Sequence, residues 1–400
     1  MADITLSVDG VNDAGNHRFV SLNAALAHGL ANHADLSAAT GFDGRLRFPV
    51  SIGTEENLNS LISSFTGTDI DRYIDIYGVG NGLATGVWNT GRFRIVRTVG
   101  YQAPMAINVP YTRVTGIQIA SLYTGTTGYS ALAASVPGVV VDRCILRCDT
   151  GNTGFSGAAR CSAAGAHLTL RNCVIYGKGY NSGVSTLTST TMVLENCLIY
   201  MPNATQGAVN RAGGTIVVTN CYCASPAAVL RGTGASLTQT KVATSDDSSA
   251  DATLRNIAAA VGSGACFTDL TVDSEDFTIT GASALRDVAN TLAGFTHDVT
   301  GAQRTGVWDI GPFEYALTSQ FARPTSDIAD GNWKRWTGNP LTEQDNVGIY
   351  TALDETTPDG AEVARSGAQP VNDTLTFGLS AVNPPAAGPV VMRFKVRRVP

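Results

Sequence analysis

Leu168-Thr-Leu-Arg-Asn-Cys-Val-Ile175, Met192-Val-Leu-Glu-Asn-Cys-Leu-Ile199 and Ile216-Val-Val-Thr-Asn-Cys-Tyr-Cys223 align without a gap. Their Asn-Cys pairs, Asn172-Cys173, Asn196-Cys197 and Asn220-Cys221, recur every 24 residues. Two looser copies precede them, Val139-Val-Val-Asp-Arg-Cys-Ile145 and Arg113-Val-Thr-Gly-Ile-Gln-Ile119, with Cys144 and Ile117 in the cysteine position. A strand-rich repeat of this length is one coil of a solenoid, each coil stacked on the last. The expected fold is all-β, a right-handed parallel β-helix.

Each column of the alignment then has a physical meaning. Alternate strand residues point inward, so Cys173, Cys197 and Cys221 form a stack of small buried side chains. A metal needs converging ligands, whereas thiols rising about 4.8 Å per coil line up beside one another. Neither a metal nor a cofactor is expected. Asn172, Asn196 and Asn220 fall at a bend, where asparagine tolerates left-handed backbone angles and its amide can bond stacked neighbours.

Upstream, Leu46–Ile52, Arg72–Tyr77 and Phe93–Val96 alternate apolar and polar residues and read as earlier rungs. Ser21 to Leu30 reads as an amphipathic helix through Leu22, Ala25, Leu26 and Leu30, placed to cap the first rung. Later rungs are expected near Ala252–Ala259 and Phe267–Thr280. This gives a cap over residues 1–40, a β-helix over 41–317 and a small β-sandwich-like module over 318–400, expected to be either shortened or completed by another chain. Module strands are expected at Gly348–Asp354, Ala361–Arg365, Asp373–Leu379 and Val390–Val396.

Charged residues make up 15% of the 400 residues, against roughly 25% in ordinary globular chains. Low charge with 43 glycines suits short strands and tight turns. The net charge of −6 argues against a nucleic-acid surface. No apolar stretch is long enough to span a bilayer, so no membrane insertion is expected. The start, Met-Ala-Asp-Ile-Thr, has neither a basic nor an apolar leader region, which predicts a protein kept in a cytoplasm.

Standard catalytic signatures are missing: no zinc-protease helix motif, P-loop, nucleophile elbow or dinucleotide fingerprint occurs. A glycan-cleaving β-helix needs paired carboxylates. The best column is Thr115, Asp142, Arg171, Glu195, Thr219, in which Asp142 and Glu195 lie two rungs, about 9.6 Å, apart. Arg171 between them makes a structural charge ladder the simpler reading. Asp246, Asp247 and Asp251, and Asp273, Glu275 and Asp276, lack regular calcium-ligand spacing. His17, His28 and His33 read as solvated surface near the cap; His167 and His297 stand apart. Tyr73, Tyr77, Trp88, Tyr123 and Tyr129 are candidate sugar-stacking groups that more simply shield apolar rungs.

The Asn-Cys repeats, followed by Asp298-x-x-Gly301-x-x-Arg304 and Asp309-Ile-Gly-Pro-Phe-Glu-Tyr315, resemble the bacterial and phage right-handed β-helix repeat family, with its pectate-lyase-like solenoid. Phe19–Leu26, Arg72–Tyr77 and Gly86-Val-Trp-Asn89 are similar to phage and prophage members. The resemblance covers about residues 15–315 and implies that Asp309–Tyr315 is the terminal rung. Pro324–Trp333 and Ile349–Glu355 resemble a β-sandwich module of phage fibres and spikes. Together these imply a non-enzymatic virion spike, fibre or decoration protein, assembled in the host bacterial cytoplasm and exposed on the virion surface. Implied partners are other virion proteins, further copies in a homotrimer, and host cell-surface polysaccharide. The alternative is a tailspike-like polysaccharide depolymerase, a glycoside hydrolase or lyase.

Overall fold

In the computed structural model the chain divides into two compact units, Met1–Tyr315 and Ala316–Pro400. The structure describes residues 2–315 except 38–42, 58–59, 100–101, 124–128, 150–156, 180–181, 233–235, 261–265 and 272, and only the strands of the second unit.

The first unit is a parallel β-solenoid. Each coil contributes one strand to each of three sheets, called here the long, second and third faces. The long face has 11 strands, the second eight and the third seven. One coil shows the order: Val139–Asp142 on the long face, Ile145–Cys148 on the second, Gly157–Cys161 on the third, then His167–Arg171 on the long face again. The pairing stays in register, Val141 on Leu170, Leu170 on Leu194 and Leu194 on Val218, so inward side chains stack in columns. All four are fully buried, each worth about 1.5–3 kcal/mol of apolar burial.

The corner between the long and second faces is a single left-handed residue in each coil. Gly116, Arg143, Asn172, Asn196, Asn220 and Lys241 have φ of 63, 52, 47, 50, 54 and 51°. The asparagine bend inferred from the repeat is this corner. The next residue turns inward: Cys144, Cys173, Cys197 and Cys221 are all fully buried. Each thiol donates to the carbonyl two residues back, over 3.3, 3.1, 3.4 and 3.2 Å in turn. All eight cysteines are buried free thiols.

The N-terminal segment is more than a cap. Ala2–Thr5 and Ser7–Val8 pair with Gly44–Val50 and extend the long face. The helix runs Leu22–His33, its first turn closed by Ser21 Oγ, which accepts from Ala24 N at 3.1 Å. Glu56 Oε1 accepts from Leu22 N at 2.7 Å, and its burial raises the carboxyl above its ordinary pKa. Leu22, Ala25, Leu26 and Gly29 face the solenoid; Leu30, expected among them, is 36% exposed. Gly29 sits there because a Cβ would lie 3.0 Å from Leu46 and 3.2 Å from Leu6.

The last rungs differ from expectation. The stacked coils end at Ala243–Thr244, the last second-face strand. The described residues of 245–315 add no further rungs; they turn back and cover the outside of the second face. Phe267–Asp269 and Asp276–Ile279 form an antiparallel hairpin. Asp309–Tyr315 is likewise not a terminal rung: Phe313 reaches back to Gly86, where an added Cβ would lie 2.6 Å from its ring. The cause lies in the second-face strands, which are apolar on both sides. Leu146, Ile175 and Ile199 point into the solenoid core. Ile145, Val174, Tyr176, Leu198 and Tyr222 point outward into a second core with Phe267, Phe277, Leu285, Trp308, Ile310 and Phe313. Rings meet edge to face, Tyr222–Phe267 at 5.1 Å and Tyr176–Phe277 at 5.4 Å.

The second unit carries small antiparallel sheets. Pro324–Ala329 pairs with Thr376–Leu379, and Lys334–Thr337 pairs with both Thr342–Gln344 and Glu362–Arg365. Strands fall within two of the expected segments, Ala361–Arg365 and Asp373–Leu379. The expected strands at 348–354 and 390–396 lie outside the described residues.

Candidate functional site

The returning segment narrows into a strap, residues 285–315, laid over the asparagine corner. Its turns are built by buried carboxylates. Asp298 Oδ1 accepts from Thr300 N and Ala302 N, both at 2.9 Å, and its Oδ2 accepts from Glu314 N at 3.2 Å. Asp309 accepts from Asp287 N at 2.7 Å and Tyr315 N at 2.6 Å. Arg304 is the hub. Its fully buried guanidinium donates to Glu314 Oε2 at 2.8 Å, Gly311 O at 2.8 Å and Asn172 Oδ1 at 3.3 Å.

The asparagine corner therefore serves the strap. Asn220 Oδ1 accepts from Asn290 N at 3.0 Å, and its Nδ2 donates to Asn290 O at 2.7 Å. Asn172 Nδ2 donates to Asp142 Oδ1 at 3.3 Å. The repeat alone suggests bonds between stacked neighbours; Asn172 makes one to the adjacent coil at Asp142, but the asparagine amides do not bond one another. Asn172 through its Oδ1 and Asn220 through both amide atoms meet the strap, and Asn196, between them, is fully buried with no amide partner among the described residues.

Where strap and corner meet there is a half-open cleft of about 290 Å³, lined by Asp142, Arg143, Asn172, Phe295, His297 and Gly301. Asp142 is mostly desolvated there, which raises its pKa against the pull of Arg143. Arg143 Nε lies 3.6 Å from the Asp142 carboxylate. His297 is exposed on the rim, with Nδ1 3.3 Å from Thr296 Oγ1.

The strand register puts Thr115, Asp142, Arg171, Glu195 and Thr219 in one outward column. Arg171 Nε donates to Glu195 Oε2 at 2.7 Å, and its guanidinium lies 5.5 Å from the Phe295 ring. Asp142 turns instead to Arg143 and Asn172. The two candidate carboxylates thus stand in different environments: one in an ion pair, the other in the cleft. An acid–base pair sharing one substrate bond is not what this arrangement supplies.

The other candidates are placed separately. Asp246 caps its own turn, accepting from Ser248 N at 3.0 Å and Val229 N at 2.9 Å. Asp251 pairs with Lys241 at 3.2 Å. Asp273 clamps Arg147 and lies 3.1 Å from Lys178, tying the hairpin to the second face. Glu275 is buried, and Asp276 Oδ1 accepts from Thr278 N at 2.9 Å. Among the described residues, no group of three or more His, Cys, Asp or Glu side chains is placed to hold a metal ion. His17 and His28 lie 5.8 Å apart beside Phe19. Tyr73 is buried under the guanidinium of Arg113, 3.6 Å from its ring, and Tyr77 lies 4.9 Å from Arg47. Trp88 is half-buried near Arg147, and Tyr129 is exposed on the loop before the third face. These rings do not form one platform.

In the sequence Asp298, Gly301, Arg304 and Asp309–Tyr315 stand out only through a resemblance, which does not show that they hold the strap whose Phe295, His297 and Gly301 line the cleft. Phe295 was not singled out. The available signal was the density of Asp, Arg and Glu in an apolar context, which marks buried charges that must be paired.

No known protein-family profile matches this sequence, and no curated protein matches it. Among solved structures, the chain is similar to one described as the crystal structure of pectate lyase Pel9A. The identity is 12%, with a TM-score of 0.33, covering 78% of this chain and 96% of that one.

Proposed function

We propose that this chain is a non-enzymatic structural protein of a bacteriophage particle, displayed as a spike, fibre or decoration and assembled in the host cytoplasm. The observation that carries this reading is the use of the ladder charges. Glu195 is held by Arg171 at 2.7 Å, and Asp142 faces Arg143 and Asn172, so the outward charged column serves the solenoid's own cohesion. A doubly packed second face and a latched strap suit a part that must outlast the cell. Eight buried free thiols agree with folding in a reducing compartment. Other virion proteins and further copies of the chain, in a homotrimer, are the proposed partners. Antibody-labelled imaging of the particle tests the placement: label absent from purified particles overturns it.

The second reading is a polysaccharide depolymerase acting at the cleft, favoured by one observation: desolvated Asp142 shares that cleft with His297. Incubation with host surface polysaccharide, scored for reducing ends and unsaturated sugars, separates the two. Under the structural reading no product forms, and Glu195→Gln changes nothing. Product formation abolished by Asp142→Asn would make the enzyme reading the better one.

A further inference from the structure

The corner between the long and second faces departs from its own pattern where the cleft opens. Its left-handed position holds Gly116, Asn172, Asn196 and Asn220, the residue types that tolerate such angles best. At the cleft it holds Arg143, with φ 52°. Lys241 is the other long cation in this position, and its bond to Asp251 at 3.2 Å accounts for it. The Arg143 guanidinium has no such bond: Nε lies 3.6 Å from Asp142 Oδ2, beyond hydrogen-bond reach. A side chain kept at a strained backbone position without a bond of its own points to a use for that side chain.

The strap makes room for the guanidinium and walls it in. Gly301 has φ 88°, and a Cβ there would lie 3.4 Å from Arg143 Nη1, so the strap runs close over the charge. Phe295, half-buried, supplies an apolar wall, its ring set 5.7 Å from Trp308 and 5.5 Å from the Arg171 guanidinium. Asn172 lines the cleft with both amide atoms already engaged, one on Asp142 and one on Arg304. Of the Asp142 carboxylate, Asn172 holds Oδ1 and leaves Oδ2 to the cleft. The volume of about 290 Å³ suits one small molecule, since ordinary ligand pockets start at roughly 300 Å³.

We propose that this cleft binds a small organic carboxylate, its anionic head taken by Arg143 and its apolar body laid against Phe295. Guanidinium matches a carboxylate through paired N–H donors. A cationic ligand fits less well, because it would compete with Arg143 and Arg171 for Asp142. Asp142 is compatible with an anion because burial favours its neutral form. Protonated, it donates from Oδ2 to the ligand, and binding takes up at most one proton from solvent. The charged and titratable groups around it are Arg143 on the same corner, Arg171 on the next coil and His297 on the strap. Glu195, one coil further, is already held by Arg171. An inorganic anion fits less well, having no body to place on Phe295. The inference rests on neither functional reading above: binding needs no particle and no bond cleavage, so it can fail while both of them stand.

The test is titration calorimetry of the intact protein with benzoate, cyclohexanecarboxylate, acetate, inorganic phosphate and benzylamine. Benzoate or cyclohexanecarboxylate is expected to bind once per chain, with a dissociation constant of about 1 mM or tighter. Acetate and phosphate, which lack the apolar body, should bind at least about tenfold more weakly, and benzylamine should not bind. Affinity should fall from pH 5.5 to pH 8 as Asp142 loses its proton, and Asp142→Asn, which keeps a donor in place, should flatten that fall. Arg143→Asn is the decisive variant. It puts at the corner the residue type that three other coils use there, so the melting temperature should hold or rise. Carboxylate affinity should drop about tenfold or more in the same protein. Arg18→Gln, on an N-terminal strand, should leave binding as it is. The proposal is overturned if neither ring carboxylate binds, if phosphate or benzylamine binds as tightly, if affinity rises with pH, or if Arg143→Asn binds unchanged. A lowered melting temperature in Arg143→Asn would show that the arginine serves the corner itself, and overturns it too.

Discussion

Replacing Arg304 by Met tests whether the strap is held by one buried hub. The side chain is fully buried and donates to Glu314 at 2.8 Å, to the carbonyls of Gly311 and Asp309 at 2.8 and 3.4 Å, and to Asn172 at 3.3 Å. It also lies 5.4 Å from the Trp308 ring. Methionine retains much of the packing volume but leaves a buried carboxylate without a counterion and several acceptors bare. Removing one partner of a buried pair costs about 3–5 kcal/mol. Confined to the strap, about 4 kcal/mol raises its open population roughly a thousandfold. Hydrogen exchange across residues 285–315 should accelerate accordingly, while Leu168–Arg171 and Met192–Glu195 exchange as before. Strap opening also exposes Leu285, Trp308, Ile310 and Phe313 from the second core, so a dye that binds apolar surface should gain fluorescence. The double variant Arg304→Met, Glu314→Gln removes the stranded charge and should regain at least about 1 kcal/mol. A loss below about 1 kcal/mol, or no recovery in the double variant, would refute the hub.

The same latch makes strap stability depend on pH. Burial and the neighbouring Asp309 carboxylate push Glu314 up to about 7, against the pull of Arg304, and burial also raises Asp309. The contribution of Glu314 is therefore complete below its ordinary value of 4.5 and is lost as pH rises through about 7. After correction for intrinsic rates, strap exchange should quicken between pH 5.5 and 8, and Glu314→Gln should flatten that rise. Burial pushes the Cys144 thiol up to about 12 and Cys161 to about 11. A thiol reagent at pH 8 should find no fast-reacting cysteine in the native protein and all eight after denaturation without reductant; fewer than eight would reveal disulfides. Deleting residues 318–400 should leave the solenoid folded but reduce the assembly seen by light scattering from trimer to monomer, and equal protomer numbers for both chains would refute an oligomerising role.

The inward columns were legible because a solenoid repeats its burial pattern at the repeat length. Cys173, Cys197 and Cys221 recur at one interval, and the asparagine before each marks the corner as a left-handed position. The strap was not legible by the same means, because a segment that crosses coils from outside meets a different neighbour at every step and so has no period. Its trace lay in the strands it covers. Cys-Val-Ile-Tyr176 and Cys-Leu-Ile-Tyr200 lack the polar alternation of His167-Leu-Thr-Leu-Arg171, and a strand apolar on both sides needs cover on both sides. Taken alone, that contrast predicts an outer layer over the second face, and residues 245–315 supply it.

The candidate site divides along the same line. Strand period alone puts Asp142, Arg171 and Glu195 in one column, and the register agrees. Which neighbours pair is decided by what covers them. Glu195 keeps the bond to Arg171, whose guanidinium lies beside Phe295 of the strap. Asp142 is drawn to Asn172, whose other amide atom is held by Arg304. In a regular stack, an outward carboxylate generally finds a coil neighbour to bond, because side chains about 4.8 Å apart are within reach on both sides. A free reactive carboxylate on such a face therefore needs an irregular element to separate it from its ladder. Here Asp142 is drawn out of the ladder to Arg143 and to Asn172, which the strap holds, while Glu195 stays in it. The two carboxylates that look equivalent in sequence are not equivalent in chemistry, and only Asp142 lines the cleft where a ligand's own groups can reach it.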